Sequence, residues 1–215
     1  MARRSPWLKL LIVATVLAVL VFLFLRSVQT TRTAPFAVER ATLTGWTLVT
    51  RPRGVDAVAW LALEAPERLA PPLGRELFHR TAESLAFPEA ILPLLLGTEF
   101  DAAFTGPGVE DAILGLARDA GLESGQWTPR CVAHRRISEP GGTRIVYFLL
   151  FEDARFDRFR NQLADLLRTN GRDATRFDPR AVSPVVMVAG SGDFGRWMPI
   201  RADPATDCLA PVEVE

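Results

Sequence analysis

Near its C-terminal end the chain reads Val185-Val186-Met187-Val188-Ala189 and then Gly190-Ser191-Gly192-Asp193-Phe194-Gly195. An apolar strand running into G-x-G-x-x-G is the pattern of a dinucleotide loop, in which glycine amides and a helix N-terminus hold the pyrophosphate. The next residues do not supply the helix. They are Arg196-Trp197-Met198-Pro199-Ile200, and Pro199 would break a helix in its first turns. The acid expected about 20 positions beyond the motif would fall on Glu215, with no room for the rest of a βαβ unit. No nucleotide is therefore expected. The glycines read as a sharp turn after the strand that delivers Phe194 and Trp197 to the core.

Other groupings have weaker chemical logic. Ser191 lies between Gly190 and Gly192, whereas a nucleophile elbow needs glycine two positions away on each side, where Ala189 and Asp193 stand. A Ser191, His134 and acid arrangement stays open as a hydrolase alternative. Cys131 and His134 have the C-x-x-H spacing of a zinc half-site, but Cys208 and His79, the remaining ligands, are scattered. The simpler use of Cys131 and Cys208 in an exported domain is a disulfide. No metal or other cofactor is expected. The carboxylates Glu64, Glu152, Glu99 and Asp193 each end an apolar strand; they suit either acid/base work across a cleft or helix capping. Arg155, Arg158, Arg160 and Arg168 read as a solvated helix face, with Asp157 and Asp165 as partners three residues away.

The elements that must position these residues begin with an apolar segment. Leu10 to Leu25 carries no charge and only Thr15 as a polar side chain. Trp7, Leu8 and Val28 extend it, and Lys9 and Arg26 can snorkel, so it reaches the ~20 residues a bilayer core requires. A cleaved signal peptide would need small residues at its cleavage site. Cutting after Ala34 places Arg32 at the third position back, and cutting after Ala37 places Pro35 there. An uncleaved signal anchor (residues 1–26) is therefore expected. Arg3, Arg4, Lys9 and the terminal amine precede the span, against Arg26 and Arg32 after it, so the N-terminus is expected in the cytoplasm and the main domain outside.

The whole chain has 25 basic and 25 acidic residues. Four of the cations (Arg3, Arg4, Lys9 and Arg26) and none of the acids precede residue 27, which leaves 21 against 25 for the remainder. A mildly acidic domain lacks the basic face that displaces counterions from phosphates, so no nucleic-acid partner is expected.

Residues 27–40 are polar and aperiodic and read as a stalk. Beyond it, Thr42 to Thr50 and Val55 to Leu63 read as strands joined by Arg51-Pro52-Arg53-Gly54. A helix comes after Pro71-Pro72, with Leu73, Leu77, Phe78, Thr81 and Leu85 on its apolar face and Glu76, His79 and Glu83 opposite. Ile91 to Leu96 reads as a buried strand and Val109 to Ala120 as a helix. The grammar then recurs. Trp127 to Ile137 and Thr143 to Phe151 are strands, Asp153 caps a helix with the stripe Phe156, Phe159, Leu163, Leu166 and Leu167, and Val185 to Ala189 is a strand. An offset of 88 superimposes the two hairpins, putting Val58 on Val146, Trp60 on Phe148 and Leu61 on Leu149. With small length changes in the following helix and loop, Pro93 to Gly97 then falls on Pro184 to Gly190, and Glu99-Phe100 on Asp193-Phe194.

The fold class expected is α+β: an N-terminal transmembrane helix followed by one mixed domain, residues 41–215. Two pseudo-repeated ββαβ halves, 41–104 and 127–201, are connected by the helix at 109–120; chance recurrence of a common motif is the alternative. The function expected is a single-pass envelope protein whose domain binds or assembles with an envelope partner. The alternatives are an exported hydrolase using Ser191 or a carboxylate, and a ligand-sensing domain with its site between the halves.

Overall fold

The computed structural model describes residues 6–51, 59–139, 142–191 and 201–215. Helix α1, Pro6–Thr33, contains an apolar span from Leu11 to Thr31 long enough to cross a membrane, and its side chains, Phe22 and Leu17 among them, are exposed. Thr15, Thr30, Thr31 and Thr33 each return their hydroxyl to the carbonyl four residues earlier, so the polar end of the helix satisfies itself. Residues 27–33, expected in an irregular stalk, continue this helix, and strand β1, Phe36–Val38, comes almost at once.

The unit from Pro35 to Glu215 is a mixed α+β domain with two sheets. After β1 comes a single 3-10 turn, Arg40–Leu43, and then β2, Thr47–Thr50. The strand expected from Thr42 starts late because Gly45 takes φ +78°, a left-handed conformation that interrupts extended backbone. Strand β3, Ala59–Glu64, precedes α2, Ala70–Thr81. Prolines occupy the first turn of α2, where their missing N–H groups are not needed. Ala82 ends it in the left-handed conformation, with φ 54°. The expected stripe is therefore shorter: Leu73 and Leu77 are buried, Phe78 is 48% exposed, and Leu85 belongs to a two-residue strand, β4, Leu85–Ala86.

Strand β5, Ile91–Leu96, leads into α3, Gly97–Ala103, and then α4, Val109–Asp119. The long hairpin β6, Pro129–Glu139, and β7, Gly142–Phe151, leads to α5, Ala154–Thr169. Asp153 caps α5 by accepting from the Arg155 amide. Strand β8, Val185–Ser191, then α6, Pro204–Asp207, and β9, Cys208–Val214, complete the chain. One sheet has the order β1-β9-β6-β7-β8-β4; the other is β2-β3-β5.

Strands β2, β3 and β5 pair antiparallel in that order around α2, as β6, β7 and β8 do around α5. The β3–β5 ladder slips twice, between Ala59 and Leu61 with the extra residue on β3 and between Leu61 and Ala62 with the extra residue on β5, whereas the β7–β8 ladder slips once, between Tyr147 and Phe148, with the extra residue on β8. Pro93 pairs with Ala62 and Val185 with Leu150, so the residue equivalent to Pro93 is Val185, one position beyond Pro184. The pairing of Glu99-Phe100 with Asp193-Phe194 lies outside the described residues.

Residues 41–104 and 127–201 interlock, whether or not they are a repeat. Helix α2 of the first packs on β8 of the second, and β4 of the first extends the second half's sheet. Aromatic rings close the core across the same boundary, Trp46 against Trp127 and Phe151, and Phe104 edge-on to Phe177. Fully burying a side chain of this size contributes about 1.5 to 3 kcal/mol, which makes the shared core the main adhesive between halves.

Candidate functional site

A cleft of about 460 Å³ opens where β3 ends and α2 begins. It is bounded by Glu64 and Ala65 from the end of β3, by Ala70, Pro71 and Arg75 from α2, by the segment 87–90, and by Val188 of β8. The second half thus reaches it through Val188 alone. Phe87 comes close because position 74 is glycine: a Cβ built there would lie 2.5 Å from Phe87 Cε1. This close approach explains a glycine inside a helix, where it otherwise costs about 1 kcal/mol.

At the rim, Arg51 comes just after β2 and forks onto Glu89. Its Nη1 donates to Glu89 Oε2 at 2.7 Å, its Nη2 donates to Oε1, and Glu64 Oε1 stands 3.6 Å from the same Nη2. The hydrogen bond from Arg51 holds the Glu89 carboxyl below its ordinary range and raises the guanidinium in return. A general acid needs the opposite environment, one that raises a carboxyl toward neutrality. The Arg51, Glu64 and Glu89 group therefore works as an electrostatic clasp tying β2 to the entry of β5.

The other residues singled out in the sequence lie apart. Glu152 pairs with Arg130 on the surface at 3.1 Å. Glu99 accepts from the Leu96 amide at the start of α3 and holds Arg160 with both oxygens, at 2.7 and 2.6 Å. Arg160, expected on a solvated face, is fully buried and also donates to the carbonyls of Leu94, Asp178 and Pro179 while lying over the Phe177 ring. The signal for this was present: Arg160 stands four residues after Phe156 and three before Leu163, inside the apolar stripe. Of the expected partners three residues apart, Asp165 and Arg168 do pair on the surface.

Ser191 Oγ accepts from the Ile145 amide at 2.8 Å. His134 faces Tyr147 across the β6 ladder, with ring centroids 6.2 Å apart. Because β7 lies between β6 and β8, two strand spacings of about 4.8 Å each separate the serine and histidine backbones. Gly190 does not open a turn; it continues β8, opposite both Val146 and Ala86. Gly192, Asp193, Phe194, Gly195 and Trp197 lie outside the described residues. Cys131 and Cys208 form a disulfide between β6 and β9, with Cα atoms 5.7 Å apart, which commits the thiols a zinc site would need. Among the described residues no cluster of three or more His, Cys, Asp or Glu is arranged to hold a metal. His79 sits on the exposed face of α2, against Phe78.

No family profile, curated protein or solved structure matches this chain. Its function is read from its own residues.

Proposed function

We propose that this is a single-pass, signal-anchored envelope protein whose extracytoplasmic domain acts by binding, as a docking or assembly unit. The observation that carries the reading is the Cys131–Cys208 disulfide in a chain that also holds the apolar span Leu11–Thr31. A disulfide persists in an oxidising compartment, and the excess of cations before the span favours a cytoplasmic N-terminus. Assignment of residues 1–26 to the anchor and of the pair Cys131 and Cys208 to an exported face belongs to this same reading. The engagement of Glu99, Glu89 and Ser191 in ties between elements supports a binding role over a hydrolytic one. The experiment is protease treatment of intact spheroplasts combined with alkaline carbonate extraction. The full-length chain should stay in the membrane pellet and lose its domain to external protease; a carbonate-soluble shortened form, or a protected domain, would overturn the assignment.

The cleft favours a second reading, recognition of a small ligand near the meeting of the halves. Native mass spectrometry of the detergent-solubilised protein would then show an added mass that the cleft-filling substitution Ala65→Trp removes. A single unadorned mass for both proteins would leave only the docking role.

A further inference from the structure

The cleft where β3 ends and α2 begins offers three kinds of surface. Ala65, Ala70, Pro71 and Val188 give it apolar walls around a volume of about 460 Å³, a size that suits a small organic molecule. Phe87 supplies an aromatic ring that is 57% exposed; one edge of it rests on Gly74, and the ring lines the cleft. Charge comes from Glu64, Glu67 and Glu89 against Arg75.

These carboxylates are not equivalent. Glu89 is answered by Arg51, which grips both of its oxygens from the rim. Glu64 stands 3.6 Å from the same guanidinium, beyond hydrogen-bond length. Both Glu64 and Glu67 are exposed, and among the described residues nothing donates a hydrogen bond to either carboxylate. With Arg51 counted, three carboxylates meet two guanidinium groups, which leaves one negative charge in excess.

The start of α2 also lies in this cleft, and a helix N-terminus ordinarily attracts an anion through N–H groups that lack internal partners. Here Pro71 and Pro72 remove two of those donors. An anion would therefore meet few donors and an excess of carboxylate. A cation would meet carboxylate oxygens and an aromatic ring, whose face attracts positive charge.

We infer that this cleft binds a small organic cation, its ammonium group met by the Glu64 and Glu67 carboxylates and its apolar body lying along Phe87 and Val188. This rests on the ligand reading of the cleft above. It adds the chemistry of the ligand: one positive charge on an apolar body.

Three probes of one shape separate the charges. They are 4-phenylbutylamine, 4-phenylbutanol and 4-phenylbutyrate, which are cationic, neutral and anionic at neutral pH. Each is titrated calorimetrically into the detergent-solubilised full-length protein and into Ala65→Trp, whose filled cleft gives the background from micelles and other surfaces. The ammonium probe should show binding that Ala65→Trp removes, about fivefold or more tighter than that of the alcohol or the carboxylate. Glu64→Gln combined with Glu67→Gln should weaken it about fivefold, and Phe87→Leu about threefold. Arg75→Gln should tighten it, a gain that damage to the fold does not imitate; a loss there overturns the inference. Equal cleft-dependent binding of the alcohol, or a preference for the carboxylate, also overturns it and leaves a ligand site of different chemistry. If none of the three binds in a cleft-dependent way the inference falls, while the broader ligand reading is decided separately by the native mass measurement.

Discussion

The arginines show how much a single residue can carry in this domain. Arg160 directs its guanidinium nitrogens to Glu99 and to three carbonyls in a fully buried site, so both charges are desolvated and both depend on each other. Removing one partner of such a pair costs about 3 to 5 kcal/mol, because the other is left charged without water. Glu99→Leu and Arg160→Met should each lower the urea midpoint accordingly. Joining Arg160→Met with Glu99→Leu should cost less than the sum, a non-additivity that equilibrium unfolding of the four proteins measures. The clasp of Arg51 and Glu89 is more exposed and worth about 0.2 to 1 kcal/mol. Its carboxyl is depressed in the folded state, so its contribution is complete above the ordinary value of 4.5 and disappears as pH falls through the lower folded value. The stability gap between wild type and Glu89→Gln should therefore be constant at neutral pH and close on acidification; a gap that widens in acid would contradict the assignment.

At the scale of elements, the antiparallel orders β2-β3-β5 and β6-β7-β8, each with a helix before its last strand, are consistent with a pseudo-repeat. The bulges differ: the extra residue at Ala59/Leu61 lies on β3 and that at Tyr147/Phe148 on β8, so the likeness rests on strand order and not on where the ladders bend. Helix ends were less legible. Leu85 continues the period of α2, yet the helix stops at Ala82 in a left-handed conformation that costs an L-residue about 1 to 2 kcal/mol. Ala82→Gly should accordingly stabilise the protein by about 1 kcal/mol, seen as a raised thermal midpoint with the same far-ultraviolet spectrum. Contacts made just beyond Ala82 decide the stop: Glu83 accepts from the Tyr147 hydroxyl at 3.0 Å, and Leu85 and Ala86 pair with Ser191 and Gly190.

For the whole molecule, closure depends on the final strand. Strand β9 lies between β1 and β6, parallel to one and antiparallel to the other, and the Glu215 amide donates to the Val38 carbonyl. The disulfide fastens this strand across a sequence separation of 77 residues. In the chain-entropy description a loop of that size is worth about 4 kcal/mol, so Cys131→Ser with Cys208→Ser should lower stability by roughly that amount. The paired substitution, compared with wild type under reducing and oxidising conditions, checks this: only wild type should respond to reductant.

Composition and period alone determined the apolar helix, the α+β class and the cysteine pairing as the simplest use of two thiols. These are properties of consecutive residues or of compartment chemistry, and they need no knowledge of distant neighbours. The tertiary structure decided the rest. Arg160 became a buried tie because Glu99 arrives from another half, and Gly190 became a strand residue because β4 and β7 flank it. The polar segment after the membrane span became helix and then strand because β9 supplies the ladder for β1. Phe78 left the core stripe because α2 packs on β8 with Gly74 beside Val188, and Leu73 and Leu77 are the side chains it buries. In each case the partner lies tens of residues away, and the free energy that selects the conformation comes from a contact the local sequence does not contain.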